Sequence, residues 1–176
     1  MRLHETVAAY MSRACAEVFF TMMGVTLPAV EISLDQATPD ANDGVLSLIG
    51  LAGRSWTGTG SVACSPDLAC HICSQLLMTE VCAVSEDVLD AVAELTNMII
   101  GSVKNDLEPS LGPLGLSIPT VVYGKNFKTR STGTVEWTTL RYEWDGQPLL
   151  VRLSLVDREQ TQPRLHLVSQ SCAAEV

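Results

Sequence analysis

The sequence predicts an α+β domain, built from two related halves that share an antiparallel or mixed sheet flanked by helices. Stretches with helical periodicity alternate along the chain with β-branched runs bounded by turn formers. Two segments, Glu17 to Gly24 (EVFFTMMG) and Glu94 to Gly101 (ELTNMIIG), match in length and at both ends, and strand-pair signals follow each. With 176 residues, 47% of them apolar, the chain has one domain's worth of sequence. A chain of that size buries roughly 70% of its unfolded surface, which excludes a disordered chain and a disulfide-stapled miniprotein.

A first helix is expected over about residues 5 to 24, with Cys15, Val18 and Met22 on one face and Arg13, Glu17, Phe20 and Gly24 on the other. Val30 to Leu34 and Val45 to Leu51 read as strands on either side of the turn-rich Ala37 to Gly44, and together suggest a hairpin. Trp56 to Ala63 is a further strand. Ser65-Pro66-Asp67 then supplies a cap and a first-turn proline for a helix running to about Met78. A third helix starts near Ser85, with Glu86 and Asp87 suiting its positive end, and stops near Val103 or Lys104. Asp106 to Gly115, with two prolines and two glycines, reads as loop, and Leu116 to Tyr123 as a strand interrupted or opened by Pro119. Val135 to Trp144 and Leu149 to Val156 flank Asp145-Gly146, a strong hairpin signal. The expected domain spans residues 1–157; residues 158–176 read as a partly disordered tail with a short strand at Leu165 to Val168.

Charge narrows the function. Lys and Arg number 11 against 20 Asp and Glu, a formal net charge of -9, so a nucleic-acid partner would be met by an opposing field. The basic cluster Lys125, Lys128 and Arg130 is too short to reverse that and reads as solvated loop. The N-terminus has no signal-peptide pattern and no apolar run reaches membrane-spanning length, so a cytoplasmic protein is expected. Six cysteines without an export signal read as reduced thiols.

Chemistry concentrates on the third helix. At 100° per residue, Val88, Val92, Leu95, Ile99 and Val103 share one stripe, while Asp90, Glu94, Asn97, Gly101 and Lys104 share the opposite one. The bland reading is an ordinary wet helix face. Against it stands the company of Glu94: asparagine has modest helix propensity and glycine costs roughly 1 kcal/mol in a helix, yet both lie on its stripe. Such a stripe suits close approach by a partner's backbone.

The run Asp90 to Gly101 (DAVAELTNMIIG), with Ser117-Ile118-Pro119-Thr120-Val121-Val122 downstream, resembles the D-x3-E-x2-N…P signature of the CheC/CheX chemotaxis phosphatases. Val18 to Gly24 resembles the first helix of that family, and the element order agrees over most of residues 5–156. The resemblance implies the CheC-like fold and an enzyme that removes phosphate from the aspartyl phosphate of a CheY-type receiver domain. CheC-like members carry the E-x2-N pair in both halves and CheX-like members carry it once; Phe20 stands where the first asparagine would be, so a CheX-like single site is implied. By the same resemblance Asn97 orients the attacking water, Glu94 pairs with a receiver lysine, and Mg²⁺ comes with the receiver, the chain needing no cofactor or metal of its own. Homodimers joined through their sheets are implied as well. Asp90 and Gly101 are weaker partner-contact candidates, and Pro119 is expected to shape a strand end.

Other signals compete poorly. Cys70-His71-Ile72-Cys73 has C-x2-C spacing, but no second ligand pair stands at zinc-site distance and the motif sits in an apolar helical run, so its cysteines read as core. His71 and His166 read as structural or exposed. Gly58-Thr59-Gly60-Ser61 lacks the lysine of a phosphate-binding loop. Two alternatives stay open: an adaptor of the same fold that binds a receiver without hydrolysis, and a thiol-dependent sensor at Cys70 and Cys73.

Overall fold

The computed structural model describes residues 3–35, 42–129 and 135–158. Helices α1 (Leu3–Met23), α2 (Pro66–Leu77) and α3 (Glu86–Leu111) pack on one face of a seven-stranded sheet. Its strands are β1 (Glu31–Asp35), β2 (Asn42–Gly53), β3 (Trp56–Cys64), β4 (Leu114–Leu116), β5 (Thr120–Phe127), β6 (Trp137–Trp144) and β7 (Gln147–Asp157). Every pairing is antiparallel, in the order β1-β6-β7-β3-β2, and the far side of β2 is shared by β4 and β5.

This topology contains the two halves. Exchanging β1, β2 and β3 for β5, β6 and β7 turns the order β1-β6-β7-β3-β2-β5 into its own reverse. The exchange pairs α1 with α3, the two helices that carry the matching octapeptides. Val45, Ile49, Val62, Leu140, Tyr142, Leu149, Val151 and Leu153 enter the core beneath the helices, while Trp137, Thr139, Arg152 and Ser154 on the other face of β6 and β7 are buried as well. Phe19 of α1 meets Tyr142 edge-on, with ring centroids 5.3 Å apart. Close approach of α3 depends on Gly60 of β3, where an added Cβ would lie 2.6 Å from Ile100 Cγ1.

Local signals placed α2 well. The Ser65 hydroxyl accepts the Leu68 N–H at 3.1 Å, Pro66 opens the helix, and Met78 ends it in the left-handed region. Asp145 and Gly146, with φ of 50° and 75°, make the tight turn between β6 and β7.

Three expectations need correction. The strand before the turn-rich linker does not form a hairpin with the one after it: β1 pairs with β6, and β2 pairs with β3, β4 and β5. β1 and β2 run in the same direction, with β6, β7 and β3 between them, so the density of turn formers predicted neither direction nor partner. The exposed face of α1 takes Met22, while Met23 and Phe19 are buried with Cys15 and Val18. Helix α3 does not stop at residue 104 but runs through Pro109 to Leu111. Proline removes one N–H, the one that would bond the carbonyl of Asn105 on the exposed side, and buried Leu107 holds the extra turns in place. The helix ends where Gly112 adopts φ 80° and its N–H bonds the Glu108 carbonyl. Pro119 breaks the stretch expected over Leu116 to Tyr123 as anticipated: it lies between β4 and β5, and β5 opens at Thr120. The tail beyond Arg158, including the strand expected at Leu165 to Val168, and Arg130 of the basic cluster lie outside the described residues; Lys125 belongs to β5.

The end of α3 is tied to β4 by Glu108, whose carboxylate pairs with Lys104 at 2.8 Å and accepts the Leu114 N–H at 3.0 Å. The Lys104 ammonium first, and then the Leu114 N–H, hold this carboxyl below the ordinary glutamate value of 4.5. A depressed folded-state value makes the contribution of Glu108 to stability complete above the unfolded value and lost as pH falls through the folded one. Thermal melts between pH 7 and pH 3 should therefore show Glu108→Gln melting below the parent at neutral pH, with the gap closing under about pH 4.5. A gap independent of pH would refute that linkage.

Candidate active site

Helix α3 presents the candidate residues as its periodicity dictates. Val88, Val92, Leu95, Ile99 and Val103 are buried against the sheet and neighbouring helices. Asp90 and Glu94 are exposed on the other side, and Asn97, Gly101 and Lys104 are half-buried along the same stripe. Glu94 and Asn97, three residues apart, stand one turn from each other on that face. Among the described residues neither side chain has a hydrogen-bond or ion-pair partner within the chain. Lys104, by contrast, is engaged down the helix by Glu108 and by Asn105 Oδ1 at 3.3 Å.

Gly101 is informative for what it does not do. Among the described residues a Cβ there would meet only Leu116 Cδ1, at an ordinary 3.8 Å, so their packing does not require a glycine. The residue costs the helix roughly 1 kcal/mol relative to alanine, with no packing return among the described residues. The contact with Leu116 also brings the β4–β5 connection alongside the stripe. There Ser117 is held by Gly50 on both sides, its N–H donating to the Gly50 carbonyl at 2.9 Å and its Oγ accepting the Gly50 N–H at 2.8 Å. The Ser117 hydroxyl then donates to the Ile118 carbonyl at 3.0 Å. Pro119 follows, half-buried, and Ile118 between them is 88% exposed. The exposure of Ile118, and that of Tyr123 in β5, was not foreseen, because a lone apolar residue beside a proline carries no sequence signal for which way it points.

On α1 the equivalent stripe carries Glu17 and Phe20, the latter 66% exposed, so that position has an acid but no amide. A hollow of about 960 Å³ lies away from the stripe, beside α2, among Met22, Cys70, His71, Ser74, Met78 and Cys82. His71 faces Asp145 at 3.6 Å and packs edge-on against Trp144. The five described cysteines are free thiols. Cys70 and Cys73 are buried, burial pushes both thiols upward, and Cys73 Sγ donates to the Asp87 carbonyl at 3.6 Å, pinning α2 to the start of α3. Such thiols are poor nucleophiles and poor sensors. Among the described residues no group of three or more His, Cys, Asp or Glu side chains is arranged to hold a metal ion. Nor is any described helix long and apolar enough to cross a membrane.

The family model for chemotaxis phosphatase CheX matches residues 45–142, more than half of the chain and all of α3. The chain belongs to the CheX family. Solved structures agree on its fold. A CheC-like superfamily protein from Shewanella sp. PV-4 superposes with a TM-score of 0.77 at 22% identity, covering 89% of this chain and 99% of that one. Chemotaxis protein CheX from Vibrio vulnificus gives 0.73 at 22% identity, with 85% and 99% covered. The CheX chain of a CheX–CheY–BeF3–Mg²⁺ complex from Borrelia burgdorferi gives 0.69 at 22%, with 85% and 97% covered. No curated protein sequence matches the chain.

Proposed function

We propose that this CheX-family chain dephosphorylates the phosphoaspartate of a CheY-type receiver domain, with Asn97 orienting the attacking water and Glu94 anchoring the receiver. The observation that supports this most directly is the Glu94–Asn97 pair, displayed on α3 with neither side chain committed elsewhere among the described residues. A phosphoaspartate is a mixed anhydride. Water adds to phosphorus, the bond from phosphorus to the aspartyl oxygen breaks, and the carboxylate leaves with the bond's electron pair; the water's protons end on inorganic phosphate and solvent. A carboxamide is no base at neutral pH. What Asn97 offers is geometry, its carbonyl accepting from the water and its NH₂ donating to an oxygen nearby, and positioning is most of what phosphoryl transfer asks of a protein. The divalent ion that offsets phosphoryl charge belongs to the receiver.

Glu94, a turn away, acts on binding by pairing with a receiver lysine. Glu94→Gln keeps the shape and removes the charge, and a charge-assisted hydrogen bond is worth about 1.5–3 kcal/mol. KM for the phosphorylated receiver should therefore rise roughly tenfold or more, with kcat changed less; an unchanged KM would deny Glu94 that role. Asp90, Gly101 and Pro119 are assigned to the docking surface rather than to chemistry, and self-association through the sheet is part of the same reading, to be checked by sedimentation.

Phosphate release from a receiver charged with a small acyl phosphate and Mg²⁺ tests the proposal. Faster loss of phosphate with the chain present is expected. A chain that binds the receiver and leaves its dephosphorylation rate untouched is instead an adaptor.

A further inference from the structure

We infer that Ile118 is the apolar anchor that seats the receiver beside the α3 stripe, with Gly101 providing the notch that lets the partner's backbone come close. This rests on the receiver-phosphatase reading and adds to it a residue that determines docking. Three observations converge. Ile118 is 88% exposed, held out from the surface between Pro119 and a Ser117 fastened to Gly50 in both directions. A pinned backbone loses little freedom on binding, which is what makes an anchor effective. Leu116, two residues earlier, lies against α3 at Gly101, so the knob is continuous with the helix face that carries Asn97. Gly101 is a helix-interior glycine whose place no described residue demands. Tyr123, half-exposed on neighbouring β5, extends the apolar surface along the edge of the sheet.

The partner this surface fits has an apolar rim next to its phosphorylated carboxylate and a basic group to meet Glu94. Anchor residues of this kind act on affinity and leave the chemical step alone. The measurement is titration of the full chain with a Mg²⁺-loaded receiver carrying beryllofluoride in place of the phosphoryl group, alongside phosphate-release kinetics. Ile118→Ser should weaken Kd and raise KM about tenfold while kcat at saturating receiver stays within about twofold. Its melting temperature should match the parent, since the side chain packs on little. Gly101→Ala should melt above the parent and yet bind the receiver more weakly. Ile32→Ser, in β1 at the opposite edge of the sheet and 54% exposed, controls for general surface hydrophobicity and should change neither constant.

An Ile118→Ser chain with parental Kd overturns the anchor, as does an equal loss for Ile32→Ser. So does an Ile118→Ser chain that loses self-association in sedimentation but keeps its receiver affinity. These outcomes are separable from failure of the phosphatase reading: if the parent binds receiver without speeding phosphate loss, the binding arm still decides the role of Ile118. A parent that binds no receiver removes both proposals together.

Discussion

Asn97→Ala is expected to lower the rate at which the chain accelerates receiver dephosphorylation by about 10²-fold, the scale of loss when a reacting group is no longer held in place. Receiver affinity should be almost unchanged, because Glu94 and the surface around Gly101 remain. The fold should survive too. Asn97 is half-buried, makes no hydrogen bond to the described chain and sits in a helix that gains propensity from alanine. Two readouts therefore part company: a melting temperature at or above the parent's, and turnover close to the receiver's spontaneous rate. Asn97→Gln sharpens the test, since it keeps the amide and moves it outward by one methylene, about 1.5 Å. If reach matters, glutamine recovers only part of the loss. Full activity in Asn97→Ala would leave the chain's amide without a catalytic role and return the adaptor reading to first place.

How much of this could be read from the residues depends on the range of the interactions involved. The cap at Ser65 and the turn at Asp145-Gly146 are contained within a few positions, and both were legible. The helix period was enough to put Glu94 and Asn97 on one exposed stripe, because burial of Val92, Leu95 and Ile99 leaves them nowhere else to face. Pairing of β1 with β6 is different in kind. It joins Glu31 to Arg141, more than a hundred residues apart, and the linker's turn formers say nothing about it. The length of α3 was underread because Pro109 looks like a stop, although Leu107 and Leu111 continue the apolar period around it. Ile118 shows the limit most clearly. Its place beside the α3 stripe is set by Leu116 lying near Gly101 and by Ser117 meeting Gly50, contacts between separate segments.

The second large effect concerns the floor on which that stripe stands. Gly60→Ala is expected to destabilise the fold by about 1–3 kcal/mol and to reduce turnover as well, although the residue lies in β3 beneath α3. An added Cβ would come within 2.6 Å of Ile100 Cγ1, 2.7 Å of Cδ1 and 3.0 Å of Cγ2. Both residues are buried, so the isoleucine has no free space to rotate into, and α3 has to lift. Ile100 is one turn from Asn97 on the same helix. A displacement of about 1 Å there carries the amide off its water and can cost on the order of 10²-fold in rate. Removing the obstruction tests the cause. Ile100→Ala alone leaves a cavity and costs about 2–5 kcal/mol, but combined with Gly60→Ala the new methyl occupies part of it. The double variant should then be more stable than the sum of the single losses predicts, by about 1 kcal/mol or more, and should regain part of its turnover. Strict additivity in both stability and rate would show that Gly60 matters to β3 alone, and that the height of α3 above the sheet is set elsewhere.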